Sequence, residues 1–307
     1  MIIRVLIFIF VLLFSIPVCA AGPETIAAVS SESAGPEIPR SDSEIQPAEE
    51  TTMDDFQTLD AMFSLYQPYL KNISAYKPLY FLVGADPEES KFQISLKYRI
   101  LSPDRPEPRK YRWKENFYIA YTQTSFWDLD ADSQPFKDTS YKPEFFFLSP
   151  NVFFKKSKSG RLFFQSGFQH ESNGRGEDFS RSTNFFYFQP IFIYFHQASR
   201  LGFMVSPKFW AYIGNDDDTN PDLNNYRGYF DLEIKAGKAE RLTVGTHFRL
   251  AKEGASVQVD LTYPLDKLLS NNLNLYVQVQ YVNALAEGLL NYKNRTRALR
   301  FGFAIVR

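Results

Sequence analysis

A histidine and a serine stand two residues apart in the segment Phe168–Arg175, as His170 and Ser172. In an extended strand, residues two apart point to the same face, so the imidazole and the hydroxyl would lie side by side. An imidazole can take the proton of a neighbouring hydroxyl, and a third polar group can fix the tautomer of the ring. Asn184 is the candidate for this third group. The pattern predicts acyl transfer by a serine hydrolase whose orienting residue is an amide.

The strand that carries these residues alternates apolar and polar side chains. Its even positions from Leu162 to Phe168 are mostly apolar and lead into His170 and Ser172, whereas its odd positions are mostly polar. In a membrane barrel the apolar face points to lipid and the polar face to the lumen. We therefore expect His170 and Ser172 on the outer wall, with lipid as their substrate.

The first 20 residues predict a secretory signal peptide (residues 1–20). Arg4 precedes an apolar run that ends in the small-residue segment Val18–Ala20, which suits signal peptidase. A lipoprotein signal modified at Cys19 and an uncleaved anchor are the weaker alternatives, because Pro17 fits the former badly and the run is short for a bilayer span. Cys19 is the only cysteine. Its removal with the signal excludes a disulfide framework and a thiolate metal site from the mature chain.

Residues 21–70 have a different composition from the rest of the chain. The part from Ala21 to Asp55 is rich in Ser, Glu, Pro and Ala and poor in aromatic residues. Such a segment cannot bury enough apolar surface to become ordered. We predict a flexible periplasmic leader over residues 21–70, followed by a barrel domain over residues 71–307.

The composition favours a barrel over a helical membrane protein or a nucleic-acid-binding protein. Aromatic residues make up 17% of the chain, with 30 Phe and 18 Tyr, yet mean hydropathy is only −0.29. No apolar run of about 18 residues follows residue 20, so membrane-spanning helices are not expected. A barrel is apolar only at alternate positions and carries aromatic girdles, which reconciles these values. A net charge of −1 argues against a nucleic-acid partner.

Alternating apolar and polar residues recur from about residue 76 to the end of the chain. The segments 230–236, 257–263 and 273–281 are examples. About twelve such segments predict an all-β fold, a transmembrane antiparallel β-barrel; a soluble antiparallel sandwich remains the alternative. Loops near residues 128–140, 173–183 and 214–224 are long, whereas the joins at 155–160, 197–200 and 236–240 are short. Because short turns mark the periplasmic side, we expect the His170 region at the outer rim.

The chain resembles the outer membrane phospholipase A family of Gram-negative bacteria, and the resemblance covers most of the predicted barrel. The central motif is the segment His170–Arg175, and Ser180–Asn184 follows it at the matching distance. Further similar segments are Lys91–Leu96, Tyr121–Trp127, Thr139–Pro143, Asn220–Asp222, Tyr226–Tyr229 and Asn294–Arg297.

The resemblance implies a calcium-dependent phospholipase A1/A2, also active on lysophospholipids, at the outer leaflet of the outer membrane. By this resemblance Ser172 is the nucleophile, His170 the general base and then acid, and Asn184 the residue that orients the ring. The amide of Gly174 would polarise the ester carbonyl together with calcium-bound water. The calcium ligands implied are the Arg175 carbonyl, the Ser180 hydroxyl and, across a dimer interface, the Ser133 carbonyl. Oxygen ligands suit calcium.

Two further expectations concern partners. In the strand Phe117–Trp127 the odd-numbered residues are expected to face outward. This places Gln123 among lipid-facing aromatic residues, where an unpaired amide is costly. We expect an active homodimer in which Gln123 contacts its symmetry mate. The acidic run Asp216–Asp218 could bind a second calcium, although such a run is more often a solvated surface.

Two function classes stay open on the sequence. The first is the lipid hydrolase. The second is a non-catalytic outer membrane barrel, a porin or structural protein, in which His170, Ser172 and Asn184 form a polar rim without chemistry. Polar groups on a lipid-facing wall are costly unless they serve a function or an interface, which favours the enzyme.

Overall fold

The structure, a computed structural model, describes residues 67–101, 109–152, 159–214, 218–269 and 273–307. Most of these residues belong to strands. The strands are β1 (Ile73–Ala75), β2 (Leu79–Gly84), β3 (Ser90–Arg99), β4 (Phe117–Trp127), β5 (Phe136–Leu148), β6 (Gly160–Ser172), β7 (Ser182–His196), β8 (Leu201–Tyr212), β9 (Phe230–Lys238), β10 (Thr243–Ala251), β11 (Gly254–Pro264), β12 (Tyr276–Leu285) and β13 (Arg295–Val306). The α-helices are α1 (Leu223–Arg227) and α2 (Leu265–Leu269), and short 3-10 helices span Pro68–Asn72, Pro87–Glu89, Arg109–Asn116 and Glu177–Phe179.

Strands β2 to β13 form one closed antiparallel barrel of twelve strands. Each strand pairs with the next in the chain, and β13 closes the ring on β2. The short strand β1 also pairs with β3, on the same edge of β3 that pairs with β2. Pro78 separates β1 from β2 because it has no N–H for the ladder, and the Gln93 amide donates to the Pro78 carbonyl at 2.8 Å. The predicted all-β barrel of about twelve strands is confirmed.

The barrel wall is apolar outside and polar inside. On the outer wall Ile119 and Phe186 are 54% and 56% exposed, whereas Gln280 and Arg300 are fully buried. A soluble sandwich would bury its apolar face instead, so this distribution excludes the sandwich alternative. An apolar outer surface of this kind is stable against lipid.

The connections that follow β2, β4, β6, β8, β10 and β12 lie at one end of the barrel, here called the site end, because β6 ends there with His170 and Ser172. The α1 region packs against the connection 286–294 at this end. Leu223 and Leu289 are fully buried in the small core that results, and Ala286 and Tyr292 complete it. We call this core of four residues the cap.

Connection length does not distinguish the two ends of the barrel, so the predicted alternation of long and short loops is wrong as a general rule. At the site end, β10 and β11 are joined by Lys252 and Glu253 alone. At the opposite end, residues 100–116 and 265–275 form long connections, since the helix Arg109–Asn116 and α2 lie within them.

Several predictions lie outside the described residues. They are the signal peptide at residues 1–20, the leader up to residue 66, and the acidic residues Asp216 and Asp217. Among the residues that the structure describes, no helix is both long and apolar enough to cross a lipid bilayer.

Candidate active site

His170 and Asn184 face each other across the β6–β7 ladder. They are register partners, and the His170 Nδ1 lies 2.8 Å from the Asn184 Oδ1. An amide oxygen can only accept, so the imidazole carries its proton on Nδ1 and leaves Nε2 as the nitrogen that can take a proton. The Asn184 Nδ2 donates to the Gly214 carbonyl at 3.1 Å, which fixes the orientation of the amide.

Ser172 lies at the last position of β6, on the same face as His170. Both side chains are half-buried, whereas their neighbour Glu171 is buried inside the barrel. The pair therefore lies on the outer wall, where the alternation predicted it. In the described part of the chain no hydrogen bond joins the Ser172 hydroxyl to the His170 ring, and such contacts often tighten only when substrate binds.

A loop of residues 173–181 follows Ser172 and is organised by Asn173. The Asn173 side chain is buried. Its oxygen accepts from the Arg181 amide at 3.0 Å and its Nδ2 donates to the Phe179 carbonyl at 2.9 Å. The loop is thus tied at both ends, and it holds Gly174 beside the nucleophile.

Gly174 has a backbone conformation that requires glycine. Its φ is +67°, and a Cβ added there would lie 2.7 Å from the ring of Tyr141. Tyr141 is the β5 register partner of Ser172. The main chain of Gly174 is therefore packed against an aromatic ring at the level of Ser172.

The predicted calcium ligands lie in two neighbouring connections of the site end. The carbonyls of residues 176–181 all accept hydrogen bonds within the loop. Among the described residues, no hydrogen bond involves the Arg175 carbonyl or the Ser180 hydroxyl. These two free oxygens fit a calcium site by donor chemistry. Ser133 is exposed in the turn 128–135, and the Arg175 guanidinium donates to the Lys137 carbonyl at 2.7 Å beside that turn. No group of three or more acidic, histidine or cysteine side chains suited to a metal occurs in the described ranges.

Gln123 lies on the outer wall, as predicted, but it has partners within its own chain. The Tyr121 hydroxyl donates to its Oε1 at 3.1 Å, and its Nε2 donates to the Ser125 hydroxyl at 3.2 Å. The expectation that the amide lacks a partner within the chain is therefore wrong, because the residues two positions before and after it on β4 lie on the same face and bond to it. The register connects Gln123 to Tyr141 on β5 and Tyr141 to Ser172 on β6, so these three residues form one row across the wall.

Two contacts from the α1 region reach the strands that carry the site. The Asn220 side chain, fully buried, accepts from the Ser182 amide at 3.1 Å and donates to the Ser182 carbonyl at 3.0 Å. Arg227 pairs with Glu171 inside the barrel at 2.7 Å. Burial would lower the pKa of Arg227, but the Glu171 carboxylate outweighs it and raises that pKa above the usual value.

Sequence reasoning assigned no role to the supporting residues, although Asn173, Asn220 and Arg227 lie in segments that carry the resemblance. Asn173 stands before a glycine and Asn220 before a proline, and both dipeptides are turn signals that could have drawn attention to the asparagines. Nothing local indicates that Arg227 reaches Glu171, because the two residues are far apart in the chain and meet only in the closed barrel.

Comparison with known proteins gives one family. A family model described as phospholipase A1 matches residues 51–305. The phospholipase A1 of Salmonella typhimurium is 31% identical over 222 residues, which are 70% of this chain and 68% of that protein. The phospholipase A1 of Escherichia coli strain K12 is 31% identical over 223 residues, with the same shares of both chains.

Solved structures with the same fold include two outer membrane phospholipases. The outer membrane phospholipase A of Escherichia coli superposes with a TM-score of 0.62 at 22% identity, covering 76% of this chain and 98% of that one. The outer membrane phospholipase of Salmonella typhi, a dimer with bound calcium, gives 0.61 at 24% identity and covers 76% and 92%.

These matches decide between the two function classes that the sequence left open. The extent of the family match confirms the predicted resemblance and the predicted enzyme, a carboxylic ester hydrolase and not a porin or a structural barrel. The closed barrel with its apolar wall agrees with the predicted membrane location. The chain belongs to the phospholipase A1 family.

Proposed function

We propose that this protein hydrolyses the acyl esters of phospholipids, and of lysophospholipids, at the outer leaflet of the outer membrane, with Ser172, His170 and Asn184 as a catalytic triad. The observation that carries the proposal is the register pair His170–Asn184, whose 2.8 Å hydrogen bond fixes the ring on the face where Ser172 lies. A triad on the outer wall is open to lipid from the side. The barrel lumen is polar and suits acyl chains poorly.

The chemistry follows from the atoms that are available. The His170 Nε2 takes the proton of the Ser172 hydroxyl, the serine oxygen attacks the ester carbonyl, and the imidazolium returns the proton to the leaving alcohol. Water then repeats the cycle on the acyl-serine. Asn184 keeps the proton on Nδ1 but has no negative charge to offset the imidazolium. Gly174 would offer its amide N–H to the developing oxyanion.

Calcium would be held by the Arg175 carbonyl and the Ser180 hydroxyl, with Ser133 of a second subunit as a further ligand. When bound, the ion would supply positive charge near the developing oxyanion, and so would carry electrostatic stabilisation that the uncharged Asn184 cannot contribute. The support comes from the hydrogen bonding of the loop. Among the described residues, these two oxygens take part in no hydrogen bond, whereas the carbonyls of residues 176–181 all accept one.

The direct test measures fatty acid release from phospholipid in mixed micelles by the refolded protein, with calcium present. Heat-modifiable migration on a gel verifies that the barrel is folded. Release that requires calcium supports the proposal, and a folded barrel that releases no fatty acid under any calcium concentration contradicts it.

We expect calcium chelation to stop turnover while the barrel stays folded. The proposed ligands are loop oxygens at the site end and take no part in the β6–β7 ladder. Removing the ion should therefore abolish activity without unfolding the barrel. Turnover and heat-modifiable migration are measured in excess chelator and again after calcium is restored. Ser180→Ala should raise the calcium concentration needed for half-maximal activity roughly tenfold or more. Ser199→Ala, which removes a hydroxyl at the opposite end, is the control. Full activity in excess chelator would refute the calcium requirement.

We also propose that the active form is a homodimer joined along β4. The row Gln123, Tyr141 and Ser172 places the proposed interface about two strand spacings, roughly 10 Å, from the nucleophile, so a second subunit could border the substrate groove. An isologous contact that runs through Gln123 is the simplest twofold arrangement.

We expect calcium and a non-hydrolysable substrate analogue to increase disulfide capture of a Gln123→Cys variant. The mature chain is expected to contain no other cysteine, so the cross-link reports this position alone. Phe248→Cys, on the outer wall of β10 across the barrel, is the matched control and should not respond. Equal capture at both positions, in preparations with normal activity, would rule out activation by this dimer.

A further inference from the structure

We infer that Asn220 and Arg227 are positioning residues for hydrolysis, which hold the two strands of the β6–β7 hairpin at the level of the nucleophile. The inference rests on the proposed triad. Both residues belong to the segment Asn220–Gly228, which contains α1 and is called the α1 segment below. Among the described residues, no hydrogen bond or ion pair joins either side chain to His170, Ser172 or Asn184, so each would act through the backbone or through a neighbouring residue.

The site lies where the β6–β7 hairpin is only partly paired with the neighbouring strands β5 and β8. On one side, β5 and β6 are paired at Tyr141–Ser172 and again at Glu144–Gln169, but not at the two positions between. Pro143 falls opposite His170 in this register and has no N–H to contribute. The β5 ladder therefore leaves β6 unpaired at His170 and Glu171, directly before the nucleophile.

On the other side, the β7–β8 ladder ends before the hairpin does. The last paired residues are Phe185 and Tyr212, and one further hydrogen bond joins the Ile213 amide to the Asn184 carbonyl at 2.8 Å. Ser182, the register partner of Ser172, lies two residues beyond. Its backbone groups have no β8 strand to pair with.

Asn220 takes the place of the missing strand at Ser182. Its side-chain amide makes both bonds that a neighbouring strand would make, one to the Ser182 N–H and one to the Ser182 carbonyl, and it is fully buried. Because Ser182 pairs directly with Ser172, this contact holds the end of β7 against the last residue of β6.

Arg227 fixes β6 from inside the barrel. Its guanidinium donates to both carboxylate oxygens of Glu171, at 2.7 and 3.3 Å, and Glu171 stands between His170 and Ser172 in the chain. A bidentate arginine–carboxylate contact restrains rotation as well as distance. With Glu171 held inward, its two neighbours must point outward together.

The α1 segment is itself anchored, which makes it a suitable support. Leu223 is buried in the cap against Leu289 and Tyr292. Asp222 accepts a hydrogen bond from the Tyr292 hydroxyl and pairs with Lys293 at 2.9 Å. The bond from Tyr292 lowers the pKa of Asp222, so the carboxylate stays ionised in this contact at neutral pH.

The test compares Asn220→Ala with Asn151→Ala in the refolded full chain. Asn151 makes the same kind of bond, accepting from the Leu162 amide at 3.0 Å, but at the opposite end of β6. We expect Asn220→Ala to lower kcat roughly tenfold to a hundredfold with KM little changed, because small misplacements of a nucleophile have effects of this size. Amide hydrogen exchange at Ser182 should become faster. Asn151→Ala should keep the wild-type kcat.

Two further variants separate positioning from general stability. Asn220→Asp keeps the bond from the Ser182 amide and loses the bond to its carbonyl, so its kcat should lie between those of the wild type and Asn220→Ala. Arg227→Lys keeps the charge and loses the bidentate geometry, and kcat should fall while the barrel stays folded. Thermal unfolding and heat-modifiable migration are recorded for every variant.

Ser172→Ala is included so that a failure of the proposed triad can be distinguished from a failure of the positioning role. If Ser172→Ala retains activity, the proposed triad is wrong. If Ser172→Ala is inactive but both Asn220→Ala and Arg227→Lys turn over like the wild type, the triad stands and the positioning role is wrong. A purely structural role would also overturn the inference, and it would appear as a lowered unfolding temperature with kcat and the exchange at Ser182 unchanged.

Discussion

Ser172→Ala and His170→Ala are each expected to lower kcat/KM by on the order of 10⁴-fold or more while the barrel remains folded. Alanine offers no atom to attack the ester in the first variant and no base to remove the hydroxyl proton in the second. Both side chains are half-buried on the outer wall and contribute little to the strand ladder, whose bonds are made by the backbone. The loss should therefore be chemical and not structural.

Asn184→Ala should reduce activity to a smaller extent, on the order of 10²-fold, because water and packing can partly replace an orienting group. The substitution removes the 2.8 Å bond to His170 but leaves the base and the nucleophile in place. Fatty acid release from phospholipid micelles measures all three variants. The expected order is wild type, then Asn184→Ala, then the other two.

Ser166→Ala is the matched control for these measurements. Ser166 lies on the same strand and the same face as Ser172, and its hydroxyl donates to the Tyr187 carbonyl at 3.0 Å, away from the site. Its replacement should leave turnover unchanged. Wild-type turnover by a folded Ser172→Ala variant would mean that the nucleophile is another residue.

Glu287→Ala is expected to destabilise the barrel by about 3–5 kcal/mol, the cost of leaving buried charges without their partner. Glu287 lies in the connection 286–294 and accepts from Arg300 at 2.7 Å and from Lys91 at 2.9 Å. The Arg300 side chain is fully buried and that of Lys91 is 4% exposed. Without the carboxylate, Lys91 would lose its acidic partner, and Arg300 would keep only the longer contact with Glu89 at 3.5 Å.

The same group makes stability depend on pH in a defined window. Burial would raise the pKa of Glu287, but Lys91 and Arg300 outweigh it and lower the pKa from 4.5 to about 2. Because the folded value is the lower one, the stabilisation is complete above pH 4.5 and is lost as the pH falls toward 2. The shift corresponds to about 3 kcal/mol.

Urea unfolding in detergent micelles, followed by tryptophan fluorescence at several pH values, measures both effects. The stability difference between the wild type and Glu287→Gln should shrink as the pH falls from 5 toward 2. Glu240→Ala, which breaks an exposed pair with Arg200 at the opposite end, is the control and should change stability by no more than about 1 kcal/mol. A difference between wild type and Glu287→Gln that is constant over this window would contradict the assignment.

The sequence by itself determined the barrel and the face on which the site lies. Side chains of a strand alternate with a period of two, so the positions of apolar residues establish which face meets lipid without any knowledge of neighbouring strands. For the same reason His170 and Ser172 could be placed together on the outer wall, and Gln123 could be placed on the outer wall of β4.

Only the tertiary structure decided which groups contact each other across strands and connections. The pairing of His170 with Asn184 depends on the β6–β7 register, and the row from Gln123 through Tyr141 to Ser172 depends on two further registers. Turn geometry and the closure of the barrel set these registers, and a period of two is compatible with several of them.

The supporting contacts were beyond sequence reasoning for a related reason. Asn220 meets Ser182, Arg227 meets Glu171, and Glu287 meets the strands β3 and β13 only because the ring closes and the cap folds over the site end. A local pattern carries no information about contacts between residues that are distant in the chain. Charged and amide side chains within a polar lumen have many potential partners, and packing selects among them.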